Sequence, residues 1–298
     1  MASVKEVAER TYRIQVQIPN VYPTFTVYFI DEEKGVVIDP GPASAIPSIK
    51  EGMAELGMKE LSYIIPTHVH VDHGGATGSL AQLFPRSKVI IHPLGEQHLI
   101  NPCRLIESTK RSYGDDFENR LGPIIQVPQF QVHVPKDGET ISIGGRELQI
   151  VYAPGHAPHH MAIFDLKTKG LFCGEALGLP TKSARSWPLP NAAPPSFDMG
   201  AYLETIGRLG QLRPLFLFYA HDGVGRNPEE LIYRVNETTN AMGDTILKAL
   251  RAGETAENID RRIQEYVSKH FGVNIEGVDT RVSVEGFIHY FKKKGLVF

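Results

Sequence analysis

The chain has 298 residues, 42% hydrophobic and 22% charged, with a net charge of -3, the makeup of a globular protein large enough to bury a sizeable core. That slight acidity excludes the broad basic excess that phosphate backbones attract, so nucleic acid is not an expected partner. No apolar run approaches the roughly 18 residues of a membrane span, and the opening stretch MASVKEVAERTYRIQV lacks the apolar core and small-residue cleavage site of a secretory signal.

The first elements read as strand, hairpin, strand: YRIQVQIP and FTVYFI are rich in β-branched and aromatic residues, and the turn DEEKG leads into VVIDPG. Over residues 44–56 the spacing of Ile46, Ile49, Met53 and Leu56 predicts a helix, with Gly57 as its stop. LSYIIP is a further buried strand, ATGSLAQLF a short helix and KVIIHP a strand, which together make an α/β layout. Residues 94–120 are helical and polar in pattern and read as an insertion between two halves of a sheet-based core. Strand pairs return in DGETISIGGRELQIVYAPG and MAIFDLKTKGLFCGEAL.

The segment GLPTKSARSWPLPNAAPPS, dense in Pro, Ala and Ser, reads as a long irregular loop around the only tryptophan, Trp187. A helix over residues 201–212 and the strand LFLFYA follow. Everything from Pro228 is helical in period, with breaks at RAGE and GVNIEGVD. The expected division is a sheet-containing domain over residues 1–226 and a C-terminal subdomain of three helices over 227–298. The two cysteines, Cys103 and Cys173, form neither a disulfide framework nor a four-cysteine zinc site, which fits buried or semi-buried free thiols in a cytoplasmic protein.

The densest chemistry lies in IIPTHVHVDHGG, residues 64–75, where His68, His70, Asp72 and His73 follow directly on a predicted strand. Side chains two apart on a strand point the same way, so His68 and His70 can chelate one ion. Where the chain turns, Asp72 and His73 can face a second. Imidazole with carboxylate suits zinc, iron or manganese. Single histidines at strand ends are commonly satisfied by local hydrogen bonds, but this concentration points to metal. No G-x-S-x-G nucleophile elbow and no dinucleotide fingerprint occur, and GGATGSL lacks the ending of a phosphate-binding loop.

THVHVDHGG resembles the H-x-H-x-D-H signature of the metallo-β-lactamase superfamily. Farther along, YAPGHAPHH resembles its P-G-H turn, LFCGEAL stands where the family has Gly-Asp, and YAHDG resembles its late histidine motif. The resemblance covers about residues 10–225 and implies an αββα sandwich whose ligands converge from loops along one edge of two packed sheets. It implies that His68, His70 and His156 bind one metal and that Asp72, His73 and His221 bind the other, two divalent ions in all, zinc foremost with iron or manganese as alternatives. Glu175 departs from the family's aspartate: it can bridge both ions, bind one, or bend away and weaken the second site. Asp165 does not match the motif position and reads as a turn or surface residue.

His159 and His160 either line the pocket beside His156, donating to a substrate oxygen or orienting a ligand, or are surface or hydrogen-bonded structural histidines. Asp39 either accepts from a ligating imidazole or is a turn aspartate. Trp187, Tyr202 and the helices around Leu99 to Tyr113 either wall a substrate pocket or simply pack.

The implied activity is attack by a metal-bound hydroxide on an ester, thioester or lactone carbonyl of a small-molecule substrate, with Asp72 as the catalytic residue that orients the nucleophile. The helical C-terminal region resembles that of glyoxalase II-type thioesterases and related lactonases. No membrane partner is expected, and a homodimer is compatible with the sequence. Two rival readings stand beside the hydrolase: an iron oxygenase of the persulfide dioxygenase type, and a ligand-binding or regulatory protein that keeps the metal cluster with little turnover.

Overall fold

The computed structural model describes residues 3–18, 24–181, 187–221, 223–271 and 280–297. The expected break at GVNIEGVD and residues 182–186 of the Trp187 loop lie outside them. The chain forms two compact units, one of Met1–Tyr152, His159–Gly174 and Leu215–Val224, the other of Ala153–Pro158, Glu175–Pro214 and Gly225–Phe298.

The first unit carries the strands of both sheets up to Val224. One has seven strands in chain order: β1 (Lys5–Ala8), β2 (Thr11–Val16), β3 (Phe25–Ile30), β4 (Val36–Ile38), β5 (Tyr63–Ile65), β6 (Lys88–Ile90) and β7 (Val132–His133). Strands β1 to β4 pair antiparallel, and β4 to β7 pair parallel. Parallel neighbours need crossovers. Helix α1 (Ile46–Leu56) supplies the first, α2 (Val71–Gly74) and α3 (Thr77–Leu83) the second, and α4 (Pro93–Ile100), α5 (Cys103–Tyr113) and α6 (Phe117–Leu121) the third. The expected insertion is therefore the crossover between β6 and β7. Helix α1 ends at Gly57, whose φ of 72° permits the left-handed cap.

The second sheet has the order β13-β12-β11-β10-β9-β8, from β8 (Thr140–Ser142), β9 (Glu147–Tyr152), β10 (Met161–Asp165), β11 (Gly170–Gly174), β12 (Phe216–Tyr219) and β13 (Val224–Gly225). Its β11/β12 pair is parallel.

All six residues of β3 are buried because the strand has cover on both faces. The two-residue period sorts them. Phe25, Val27 and Phe29 pack with Val37, Ile64, Val89 and the α1 residues Ile49 and Met53. Tyr28 and Ile30 face the other way, into a core shared with Ile38, Ile65 and Ile90 and with Ile150, Ile163, Phe172 and Phe218 of the second sheet. The Tyr28 ring lies 5.3 Å from Phe172 and 5.4 Å from Phe218, and its hydroxyl donates to the Tyr219 carbonyl at 2.7 Å. Burial pushes that hydroxyl's pKa up, which keeps it a neutral donor.

Asp165 holds the β10–β11 turn, accepting from the Lys167 amide at 3.0 Å and the Thr168 hydroxyl. It is buried rather than on the surface, because it also faces Arg146, which is 2% exposed, at 3.3 Å. Arg146 further donates to the Thr11 hydroxyl at 3.0 Å.

The second unit is helical: α7 (Met199–Gln211), α8 (Pro228–Arg251), α9 (Ala256–Phe271) and α10 (Arg281–Lys293). Helix α8 opens on Pro228 with Glu229 and Glu230 in its first turn and closes with Lys248 and Arg251, matching the helix dipole at both ends. Its buried residues Leu231, Val235, Thr238, Met242, Ile246 and Ala249 make one stripe, and it contacts α7, α9 and α10. Among the described residues no helix is long and apolar enough to cross a membrane. The reading of the sequence left out β1, β7, β13 and α2, which have four residues or fewer and too little period to register.

Replacing a helical glycine by alanine ordinarily stabilises a helix by about 1 kcal/mol. At Gly78 in α3 the sign is expected to reverse, because a Cβ there would lie 1.8 Å from the Ile125 carbonyl oxygen. Gly78→Ala is expected to cost about 2 kcal/mol or more, read as a lower urea midpoint. A midpoint at or above that of the parent would contradict this packing.

Candidate metal centre

Strand β5 runs into Pro66, which has no amide with which to continue the ladder. The next residue, Thr67, is held by Asp39 at the end of β4: the carboxylate accepts from the Thr67 amide at 2.7 Å and from its hydroxyl at 2.9 Å. Asp39 itself has a φ of 46°, a conformation that aspartate tolerates better than most residues. Val69 packs into the helix-side core, which turns His68 and His70 to the opposite side. His68 is 0% exposed; its Nδ1 lies 3.1 Å from the Thr67 hydroxyl and its Nε2 lies 2.9 Å from Nδ1 of His70.

Asp72 and His73 follow on the single turn of α2. Nδ1 of His73 faces the Asp39 carboxylate at 3.6 Å, leaving Nε2 toward Asp72 at 3.6 Å. His221, just beyond β12, brings its Nε2 to 3.7 Å from the same Asp72 oxygen, and its backbone bridges to Phe25. Asp72, His73 and His221 thus offer ligand atoms within 4.8 Å of one another. Two imidazoles and a carboxylate, largely withdrawn from water, suit a divalent ion of borderline hardness.

His159 and His160 come to the same place, at the start of β10, where the Met161 amide donates to the Thr67 carbonyl at 2.8 Å. The His160 ring stacks on His68 at 4.8 Å, and His159 stands edge-on to His70 at 5.7 Å. His98 of α4 lies 6.0 Å from His159. Its pKa is lowered by burial and then by the charge of Arg104. The sequence reading left His98 out, since no spacing links a helix in the β6–β7 crossover to the histidines after β9.

In the second unit, Nε2 of His156 lies 2.9 Å from a carboxylate oxygen of Glu175, and its Nδ1 lies 2.8 Å from the Asn191 carbonyl. The other Glu175 oxygen accepts from the Asn191 side-chain amide. Asn191 is a second residue that sequence reasoning missed. The turn bearing His156 is seated on α7: the Asp198 amide donates to the Gly155 carbonyl at 2.9 Å and the Thr205 hydroxyl to the Pro154 carbonyl at 2.6 Å. Tyr202 is fully buried in this seat, with its hydroxyl 3.2 Å from the Glu175 carbonyl. Trp187 donates its indole N–H to the Thr238 hydroxyl, and the Arg234 guanidinium lies 4.5 Å from its ring.

A family model described as the metallo-beta-lactamase superfamily matches residues 20–221. The chain belongs to this superfamily. One relative, a metallo-beta-lactamase fold-containing protein of Sulfurisphaera tokodaii, is 30% identical over 203 residues, covering 67% of this chain and 73% of that protein. A hydroxyacylglutathione hydrolase of Synechococcus is 29% identical over 147 residues, which is 49% of this chain and 45% of the relative. Among solved structures, a metallo-beta-lactamase family protein of Thermus thermophilus superposes with a TM-score of 0.72 at 21% identity, covering 96% of this chain and 94% of that one. The α/β class, an αββα sandwich with C-terminal helices, is thereby the fold of this superfamily member.

The P-G-H turn of this member tolerates only glycine at its centre. Gly155 has a φ of 132°, and a Cβ there would lie 2.4 Å from the Tyr202 Cα. Gly155→Ala is expected to cost about 2 kcal/mol or more, measured as a lower thermal midpoint of the chelator-treated protein. An unchanged midpoint would mean that the turn is not seated on α7 in this way.

Proposed function

We propose that the protein is a metal-dependent hydrolase acting on a carbonyl ester, thioester or lactone. One observation carries the reading: in a metallo-β-lactamase superfamily member, Asp72, His73 and His221 converge with ligand atoms within 4.8 Å. These three would hold one ion. By the superfamily pattern that THVHVDHGG and YAPGHAPHH resemble, His68, His70 and His156, with Glu175 at the aspartate position, would hold the other.

Zinc is the proposed metal, with iron and manganese as alternatives. Divalent ions at such sites lower the pKa of a coordinated water to near 7 and polarise a carbonyl oxygen. The protein's own part is to orient and to move protons. Asp72 faces both His73 and His221 and would accept a hydrogen bond from the attacking water, holding one lone pair toward the substrate carbon. Nδ1–H of His156 donates to the Asn191 carbonyl, which leaves the Nε2 lone pair for the ion. His73 is turned the same way by Asp39.

The thioester option draws on the hydroxyacylglutathione hydrolase relative, which matches this chain over only about half its length. The free thiols accord with a proposed cytoplasmic location; Cys173 is buried as expected, whereas Cys103, the first residue of α5, is exposed rather than buried. Burial holds the Cys173 thiol well above its usual pKa, so it remains protonated.

Elemental analysis of protein purified without added metal, followed by a panel of thioesters, lactones and esters, tests the proposal. Close to two ions per chain and turnover of at least one class are expected. His68→Ala and His156→Ala are each expected to lower both metal content and kcat/KM, the latter by more than about a hundredfold. A single iron with oxygen uptake would point instead to the oxygenase, and bound metal without turnover to a binding protein.

A further inference from the structure

Glu175 stands where the superfamily pattern has aspartate, and its extra methylene gives the carboxylate one more rotatable bond and a longer reach. In this protein that freedom is removed. The Asn191 side-chain amide donates to one carboxylate oxygen, and the other faces Nε2 of His156 at 2.9 Å. A carboxylate only accepts, so the nitrogen of the Asn191 amide must be the atom turned toward it. The backbone carbonyl of the same residue accepts from Nδ1 of His156 at 2.8 Å, which sets the tautomer of that ring. One asparagine therefore orients both side chains.

Asn191 is itself clamped. The Ser283 hydroxyl of α10 donates to the Pro190 carbonyl at 3.0 Å and lies 3.3 Å from the Ala192 amide, so one side chain grips the residues on either side of Asn191. Three residues on, along the same helix face, Gly286 brings the α10 backbone close. A Cβ there would lie 1.7 Å from the Ala192 carbonyl oxygen.

We infer that Asn191 is a positioning residue that commits Glu175 to the ion held by His156 rather than to a bridging position, and that α10 acts on the site by holding Asn191. This inference rests on the proposed metal-binding reading. It predicts coupling between Asn191 and Glu175. An aspartate at 175 would be too short to meet the Asn191 amide, so the benefit of that amide should vanish with it.

The test is a double-mutant cycle read by zinc affinity in competition with a chromophoric chelator and by ions bound per chain, neither of which depends on activity. Asn191→Ala is expected to weaken one of the two ions by about ten- to a hundredfold and to leave the other unchanged. In the Glu175→Asp background the same substitution should alter affinity by no more than about twofold. Ser283→Ala should weaken the same ion by less than Asn191→Ala does. Equal losses in both backgrounds, or no loss in either, would overturn the inference. Asn191→Asp keeps the shape, removes the donor and serves if the alanine variant folds poorly; affinity equal to or above that of the parent would likewise overturn it. His156→Ala separates metal binding from the positioning role of Asn191. If it leaves both ions in place, the metal-binding reading fails; if it loses one while Asn191→Ala loses none, only the positioning role falls.

Discussion

The buried carboxylate of Asp39 ties the ends of two neighbouring strands together, and the geometry of the histidine loop follows from it. A charge only 4% exposed must be compensated, and here the Thr67 amide and hydroxyl do so directly while the His73 ring lies beside it. Fixing Thr67 fixes where β5 gives way to the loop, hence which side His68 and His70 present. The same carboxylate faces Nδ1 of His73, so one anion aligns both ends of the H-x-H-x-D-H segment.

Strand direction explains why these groups share one edge. Strands β4, β5 and β6 are parallel, so Asp39, the His68–His70 loop and His92 all follow C-terminal ends. Strands β11 and β12 are likewise parallel, which places Gly174 and His221 at corresponding ends of the second sheet. In open α/β sheets this edge is where loops are free to carry chemistry, because the strands supply rigidity and the loops need only local support. Packing between the sheets makes the platform stiff, with Tyr28 of β3 wedged against Phe172 and Phe218 of the β11/β12 pair.

In the second unit the support is of a different kind. His156 and Glu175 sit on irregular chain, and irregular chain holds a side chain in place only when its backbone groups are engaged. Helix α7 engages Pro154 and Gly155, and α10 engages Pro190 and Ala192. The Glu175 carboxylate is met by the Asn191 side-chain amide at one oxygen.

The sequence by itself determined the α/β class and the long elements, since the two-residue period of FTVYFI and the helical period of residues 44–56 report which face of each element is buried. It also marked the H-x-H-x-D-H segment, because two-residue spacing on an extended chain forces His68 and His70 to one side whatever surrounds them. Tertiary structure alone decided the partners of Asp39, the approach of His98 to His159, the buried pairing of Asp165 with Arg146, and the pairing of Glu175 with Asn191. Each joins residues brought together by strand order or helix packing rather than by spacing. Local periodicity encodes only near neighbours along the chain, whereas these contacts depend on how the backbone returns, and a carboxylate's identity does not say which donor will meet it.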